Sequence, residues 1–132
     1  MESISKELLL QLPKVELHCH LDGSLRVSSI LDQAKIDNIK LPFKNYDDLT
    51  AYFKIGENRG SLEDYIKRFD ITLCVMQTPK ALSRFAYELI EDVSKENVRY
   101  IEVRYSPILH TKKGMALEEA LESVRKLSLI HI

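Results

Sequence analysis

The residues of this chain best suited to chemistry gather near its start, at His18, His20 and Asp22. Imidazole nitrogen is a preferred zinc ligand, held at ~2.0–2.1 Å. Residues two apart on a strand share a face, with Cα atoms roughly 6.5 Å apart, so two imidazoles in a His-x-His pattern are able to converge on one ion. Cys19 stands between them. It points to the opposite side and reads as a buried structural thiol rather than a third ligand. A bare His-x-His is a weak pattern, and two half-buried histidines donating to backbone carbonyls are the competing reading.

The element that must carry the pair reads as a strand. Residues 14–21 are few, include β-branched Val15, and lie between Pro13 and the turn signal Asp22-Gly23. His18 and His20 therefore sit at its C-terminal end, the edge where barrel enzymes build their sites. Before it, Ile4, Leu8 and Leu12 predict a short helix capped by Ser3 or Ser5 and ended by Pro13. After it, Val27, Ile30, Leu31 and Ala34 recur at helical spacing, and residues 47–53 predict another short helix.

Two longer helices follow. Ser61 and Asp64 form a capping-box pair, with Leu62, Tyr65, Ile66, Phe69, Leu73 and Met76 behind them on one face. Thr78-Pro79 places a cap before a first-turn proline, and Leu82, Phe85, Ala86, Leu89, Ile90 and Val93 make the apolar stripe. Residues 98–107 predict a second strand. Its two faces, Ile101, Val103 and Tyr105 against Tyr100, Glu102, Arg104 and Ser106, suit burial on both sides in a parallel sheet. On that reading Glu102 and Arg104 form a buried ion pair. A last helix spans 116–127, acidic at its start and basic at its end. Strand, helices, strand, helix is the beginning of an α/β architecture. An eight-stranded barrel takes ~250 residues, more than the 132 present.

Composition narrows the function classes. The chain is 45% hydrophobic and 30% charged, close to a globular average. Nineteen Lys and Arg against twenty Asp and Glu leave a net charge of -1, which gives nucleic acid or an acidic membrane no handle. Lys112-Lys113-Gly114 is too small a basic turn to change that. No apolar run approaches the ~20 residues of a membrane helix, and the first residues lack a secretory signal pattern. Two cysteines make no disulfide framework, so a reducing cytoplasm is the expected compartment. Ser106 has no base to activate it. His110 and His131 have no partner at ligand spacing and read as core or solvated histidines.

The neighbours of the histidine pair make the pattern specific. Pro13-Lys14-Val15-Glu16-Leu17-His18-Cys19-His20-Leu21-Asp22-Gly23-Ser24-Leu25-Arg26 closely resembles the N-terminal signature of the adenosine and AMP deaminase family. Tyr100-Ile101-Glu102-Val103-Arg104-Tyr105-Ser106-Pro107 is similar to that family's second barrel strand, and residues 61–76 to the helical flap between the two. The resemblance runs over about 12–126, in the family's order. It implies the N-terminal portion of a (β/α)8 TIM-type barrel, with about two barrel strands and several helices, in a single domain over 1–126.

Residue by residue, the resemblance implies that His18 and His20 are zinc ligands. It also sets His20 and Asp22 against a purine nucleoside, the Asp22 carboxylate accepting from a ribose hydroxyl. Leu62, Tyr65, Ile66 and Phe69 match a lid over the purine, although an apolar helical stripe is equally a core face. The implied reaction is zinc-dependent hydrolytic deamination of adenosine and 2′-deoxyadenosine to inosine and ammonia, in purine salvage. Adenine-specific relatives tend to carry Glu where Asp22 stands. The third histidine ligand, the acidic ligand, the catalytic glutamate and the base histidine lie further along in the family, and nothing after Pro107 matches them. The chain alone is accordingly expected to be inactive, and the apolar end over 127–132 is read as a truncation or frameshift scar. The alternatives are a non-catalytic binding module, or a relative acting on adenine or another purine.

Overall fold

The computed structural model of the chain describes residues 4–54 and 61–128. Its elements run α1 (Lys6–Gln11), β1 (Lys14–His20), α2 (Val27–Ile36), α3 (Tyr46–Phe53), α4 (Leu62–Val75), α5 (Pro79–Lys95), β2 (Val98–Arg104) and α6 (Leu117–Ser128). Single 3₁₀ turns at Leu21–Gly23 and Pro107–His110 follow the two strands. The second strand stops at Arg104, short of the expected 107, because Pro107 opens the turn and has no N–H for a ladder. Of the atypical tail, α6 covers 127–128; residues 129–132, His131 among them, lie outside the described residues.

Caps set the helix starts. The Ser61 hydroxyl accepts from the Asp64 N–H at 3.2 Å, and the Asp64 carboxylate accepts from the Ser61 N–H at 3.1 Å, so aspartate closes the capping box. The Ser61 hydroxyl also donates to the Asp64 carboxylate at 2.9 Å, and this bond, followed by the one from the Ser61 N–H, holds the Asp64 carboxyl below the usual carboxylate range. Thr78 accepts from the Ala81 N–H at 3.2 Å, with Pro79 at the first helical position. Asn45 does the same for Asp48 at 2.8 Å and starts α3 at Tyr46.

The strands pair directly and in parallel, with His20 opposite Arg104 and Cys19 opposite Val103. Parallel neighbours require a long crossover, and α2 to α5 fill it. Both C-terminal ends thus meet at one edge. The helices pack on one side of the pair. There α5 contributes Ala81, Leu82, Phe85, Ala86 and Leu89 to a core with Leu21, Ile30, Leu49, Val75 and Met76, while Ile101, Val103 and Tyr105 pack against it partly buried.

The other side is open. Tyr100 is 54% exposed, and the Glu102–Arg104 pair, at 3.2 Å, has side chains 42% and 48% exposed. Burial of β2 on both faces, and of that ion pair, is therefore not what the structure shows. The period-2 pattern is right, but among the described residues no element covers the second face. The α4 stripe also divides: Ile71, Leu73, Val75 and Met76 are buried, whereas its first turns stand away from the core.

Candidate metal and nucleoside site

Both candidate ligands project from the end of β1. The ladder is irregular here, since Glu16 pairs with Ile101 and Cys19 with Val103, leaving an extra residue on β1. Bulges of this kind re-aim side chains next to functional sites. The Glu16 carboxylate accepts from the His18 N–H at 2.9 Å within the irregular stretch. The outcome is convergence: His18 Nε2 and His20 Nε2 lie 3.1 Å apart, with ring planes tilted by 37°. Two nitrogens bound to one tetrahedral zinc ion at ~2.05 Å stand ~3.3 Å apart, so the pair fits the group. Among the described residues no cluster of three or more His, Cys, Asp or Glu forms around a common point.

Cys19 takes the opposite side, half-buried, with Sγ 3.3 Å from the Ser24 hydroxyl. Ser24 already donates to the His20 carbonyl at 2.7 Å, so the thiol is the donor in the Cys19–Ser24 contact. That short chain fastens the backbone of His20 to the turn after it. Arg26 fastens the same segment to α5, donating through Nε to Asp92 at 2.8 Å and through Nη2 to Glu91. Its pKa rises above its already high ordinary value, chiefly through the hydrogen bond to Asp92. Asp92 and Glu91 are held below the carboxylate range in return.

Asp22 sits in the 3₁₀ turn, 7% exposed. Its Oδ1 lies 3.8 Å from His20 Nδ1, too far for a hydrogen bond, and this buried oxygen has no hydrogen-bond partner. Asp22 lines a cavity of about 190 Å³ together with Leu25, Phe53, Tyr65, Arg68 and Phe69. Tyr65 and Phe69 meet edge to face at 5.5 Å. Of the four lid candidates these two are brought to Asp22. Leu62 and Ile66, 74% and 56% exposed, are not among the residues lining the cavity. Ser106 is exposed at the start of the second 3₁₀ turn.

Two polar residues near this site gave no clear signal in the sequence. Arg68 Nη1 is buried without a hydrogen-bond partner, and its guanidinium lies 5.7 Å from the centre of the Tyr52 ring. His110 is fully buried. Its Nδ1 stands 3.1 Å from the Met76 carbonyl and must be the protonated nitrogen, because a carbonyl only accepts. Its Nε2 has no partner. Burial pushes the His110 pKa below its ordinary value, against the Met76 hydrogen bond and the Asp22 charge.

A histidine pKa depressed on folding means that the unfolded chain binds the extra proton. The His110 contribution to stability is complete above pH ~6.5 and is lost as pH falls through the lower folded value. Chemical denaturation at pH 7.5 and 5.5 is expected to show a lower midpoint at pH 5.5. That deficit should shrink in His110→Leu.

Comparison with known proteins places the chain in a family and a fold. The family model described as adenosine deaminase matches residues 13–127. An adenosine deaminase of Clostridium botulinum (strain 657 / Type Ba4) is 55% identical over 114 residues, 86% of this chain and 34% of that protein. The chain thus spans about a third of the length of the curated relatives it matches. Among solved structures, the adenine deaminase from Arthrobacter aurescens superposes with a TM-score of 0.76 at 25% identity, over 86% of this chain and 34% of that one. An amidohydrolase from Burkhoderia ambifaria with bound Zn gives 0.74 at 25% identity, over 94% and 34%. Arabidopsis ADAL complexed with IMP gives 0.67 at 29%, over 95% and 36%. The two parallel strands and their helices match about a third of the TIM-barrel deaminase structures. The chain belongs to the adenosine deaminase family.

Proposed function

We propose that the complete protein containing this chain hydrolyses adenosine and 2′-deoxyadenosine to inosine or 2′-deoxyinosine and ammonia, with zinc as cofactor. The observation that supports this most directly is the convergence of His18 and His20 at 3.1 Å, at the strand edge that also presents the unpaired Asp22 carboxylate. His18 and His20 would hold the zinc ion. A zinc ion supplies the acidity that makes water a nucleophile near neutral pH.

The remaining work of this chain is binding and orientation. Asp22 accepts a hydrogen bond from a ribose hydroxyl, which satisfies its buried Oδ1. Tyr65 and Phe69 offer aromatic surface at the same cavity and exclude water from the bound nucleoside. The bulge at Glu16 and the Cys19–Ser24–His20 chain keep the imidazoles aimed before zinc arrives, so little reorganisation accompanies binding. A catalytic zinc site takes three or more protein ligands, so residues 1–126 supply only part of one barrel domain's site.

The test is loss of adenosine absorbance by the complete protein, with zinc and after chelation. Zinc-dependent conversion to inosine is expected. The 132-residue chain alone should give none, and zinc-dependent turnover by it would refute the shared-site reading. The solved adenine deaminase supports one second reading, action on the free base. Adenine offered in the same assay separates the two, because a ribose contact at Asp22 has nothing to grip there.

A further inference from the structure

Two residues that line the cavity beside Asp22 and Phe69 each carry a buried polar atom, and the two are of opposite character. Asp22 Oδ1 is an acceptor without a donor, and Arg68 Nη1 is a donor without an acceptor. Both residues line the same space of about 190 Å³, yet they do not satisfy one another. Leaving a buried charged group unpaired costs more than leaving a neutral one, so the pair is poised for something that supplies both a donor and an acceptor.

A hydroxyl group does this, with one O–H to give and two lone pairs to receive. An adenine edge also offers a donor and acceptors, but on separate atoms, whereas a hydroxyl carries both on one. A phosphate would satisfy Arg68 but set its charge against the Asp22 carboxylate in the same cavity. Apart from Thr72, whose hydroxyl donates to the Phe69 carbonyl at 3.0 Å, the rest of the lining is apolar or aromatic, Leu25, Phe53, Tyr65 and Phe69 among it, which suits the carbon face of a sugar. Arg68 is held from outside the cavity as well. Its guanidinium lies 5.7 Å from the centre of the Tyr52 ring, a contact that restrains the side chain while Nη1 stays unpaired.

We propose that Arg68 is a substrate-recognition residue, donating through Nη1 to a sugar oxygen in the cavity where Asp22 accepts from a sugar hydroxyl. The inference rests on the nucleoside reading above and adds to it a residue on α4. It gives the lid helix a polar contact with the sugar in addition to its aromatic ones. Discrimination against the phosphate falls to Asp22, whose charge opposes the anion, while Arg68 adds a contact to the neutral sugar.

The experiment is steady-state kinetics of the complete, zinc-loaded protein with Arg68→Met, using adenosine and its 2′-, 3′- and 5′-deoxy analogues. A hydrogen bond from a charged donor is worth ~1.5–3 kcal/mol, so R68M should raise KM for adenosine about 10- to 100-fold while kcat changes far less. The analogue lacking the contacted oxygen should lose little on substitution, because it never made the bond. A structural role would move all four substrates by the same factor, and that uniform result would overturn the proposal. Should R68M fail to fold, Arg68→Lys keeps the charge and stem but not the fork. It should show the same analogue-dependent pattern with a smaller factor, and a uniform loss there overturns the proposal equally. Failure of the nucleoside reading looks different: the unsubstituted protein would neither bind nor deaminate adenosine, and both conclusions would fall together.

Discussion

Replacing His18 or His20 by alanine in the complete protein is expected to abolish tight zinc binding and, with it, measurable adenosine turnover. The two Nε2 atoms stand 3.1 Å apart because one bulged strand aims both. Loss of either imidazole leaves the other without the second nitrogen that fixes the ion's position. Removing a group that merely orients a metal ligand costs 10–100-fold in affinity or activity, and removing a ligand itself should cost more. Metal content after dialysis, beside the deamination rate, checks the prediction. Stoichiometric zinc in both variants would sink the ligand assignment. The circular dichroism spectrum should be unchanged, since both histidine side chains are exposed and carry no core packing.

The second large effect is on stability. Phe85 is among the largest fully buried side chains, 2% exposed in the middle of the α5 stripe. Truncation to alanine removes its transfer energy and leaves a cavity that close-packed neighbours refill only in part, for a loss of ~3–5 kcal/mol. Against a total stability of ~5–15 kcal/mol, that is enough to unfold a marginal domain. Tyr87 lies two residues on and is 48% exposed, so Tyr87→Ala should fall within about 1 kcal/mol of the parent. Urea denaturation midpoints of the two variants give the comparison. Equal midpoints would mean that α5 does not anchor the core.

The α/β class, the order of helices and strands and the capping signals were readable from residue types and periodicity. Ser61 with Asp64 and Thr78 with Pro79 are local patterns, settled within one turn of helix. The convergence of His18 and His20 was readable for the same reason, since a strand's two-residue period acts over 7 Å or so. What depended on distant segments was not. Arg68 looks like one more charged residue on an amphipathic helix until α3 places Tyr52 beside it. His110 follows no ligand spacing, and its burial comes from packing that brings it to the Met76 carbonyl, 34 residues away. Burial of the Glu102–Arg104 pair was expected inside a barrel, and in this chain the pair is exposed: alternation along β2 shows that a second face exists, and says nothing about what covers it.

At the far end of the strands from the histidines, one lysine ties remote pieces of chain together. Lys14 Nζ donates to the carbonyls of Leu10, Leu12 and Glu96, the last across 82 residues at 2.6 Å. Asn97 reaches back to the Gln11 carbonyl, and its own carbonyl accepts from the Lys14 N–H. Closing a flexible loop of that length carries an entropy cost of about 4 kcal/mol. These contacts at the N-terminal end of the strand pair help offset that cost and hold β1 beside β2. The strand pair that presents the two imidazoles at one end is thus clamped at the other by a single ammonium and three carbonyls from segments far apart in sequence.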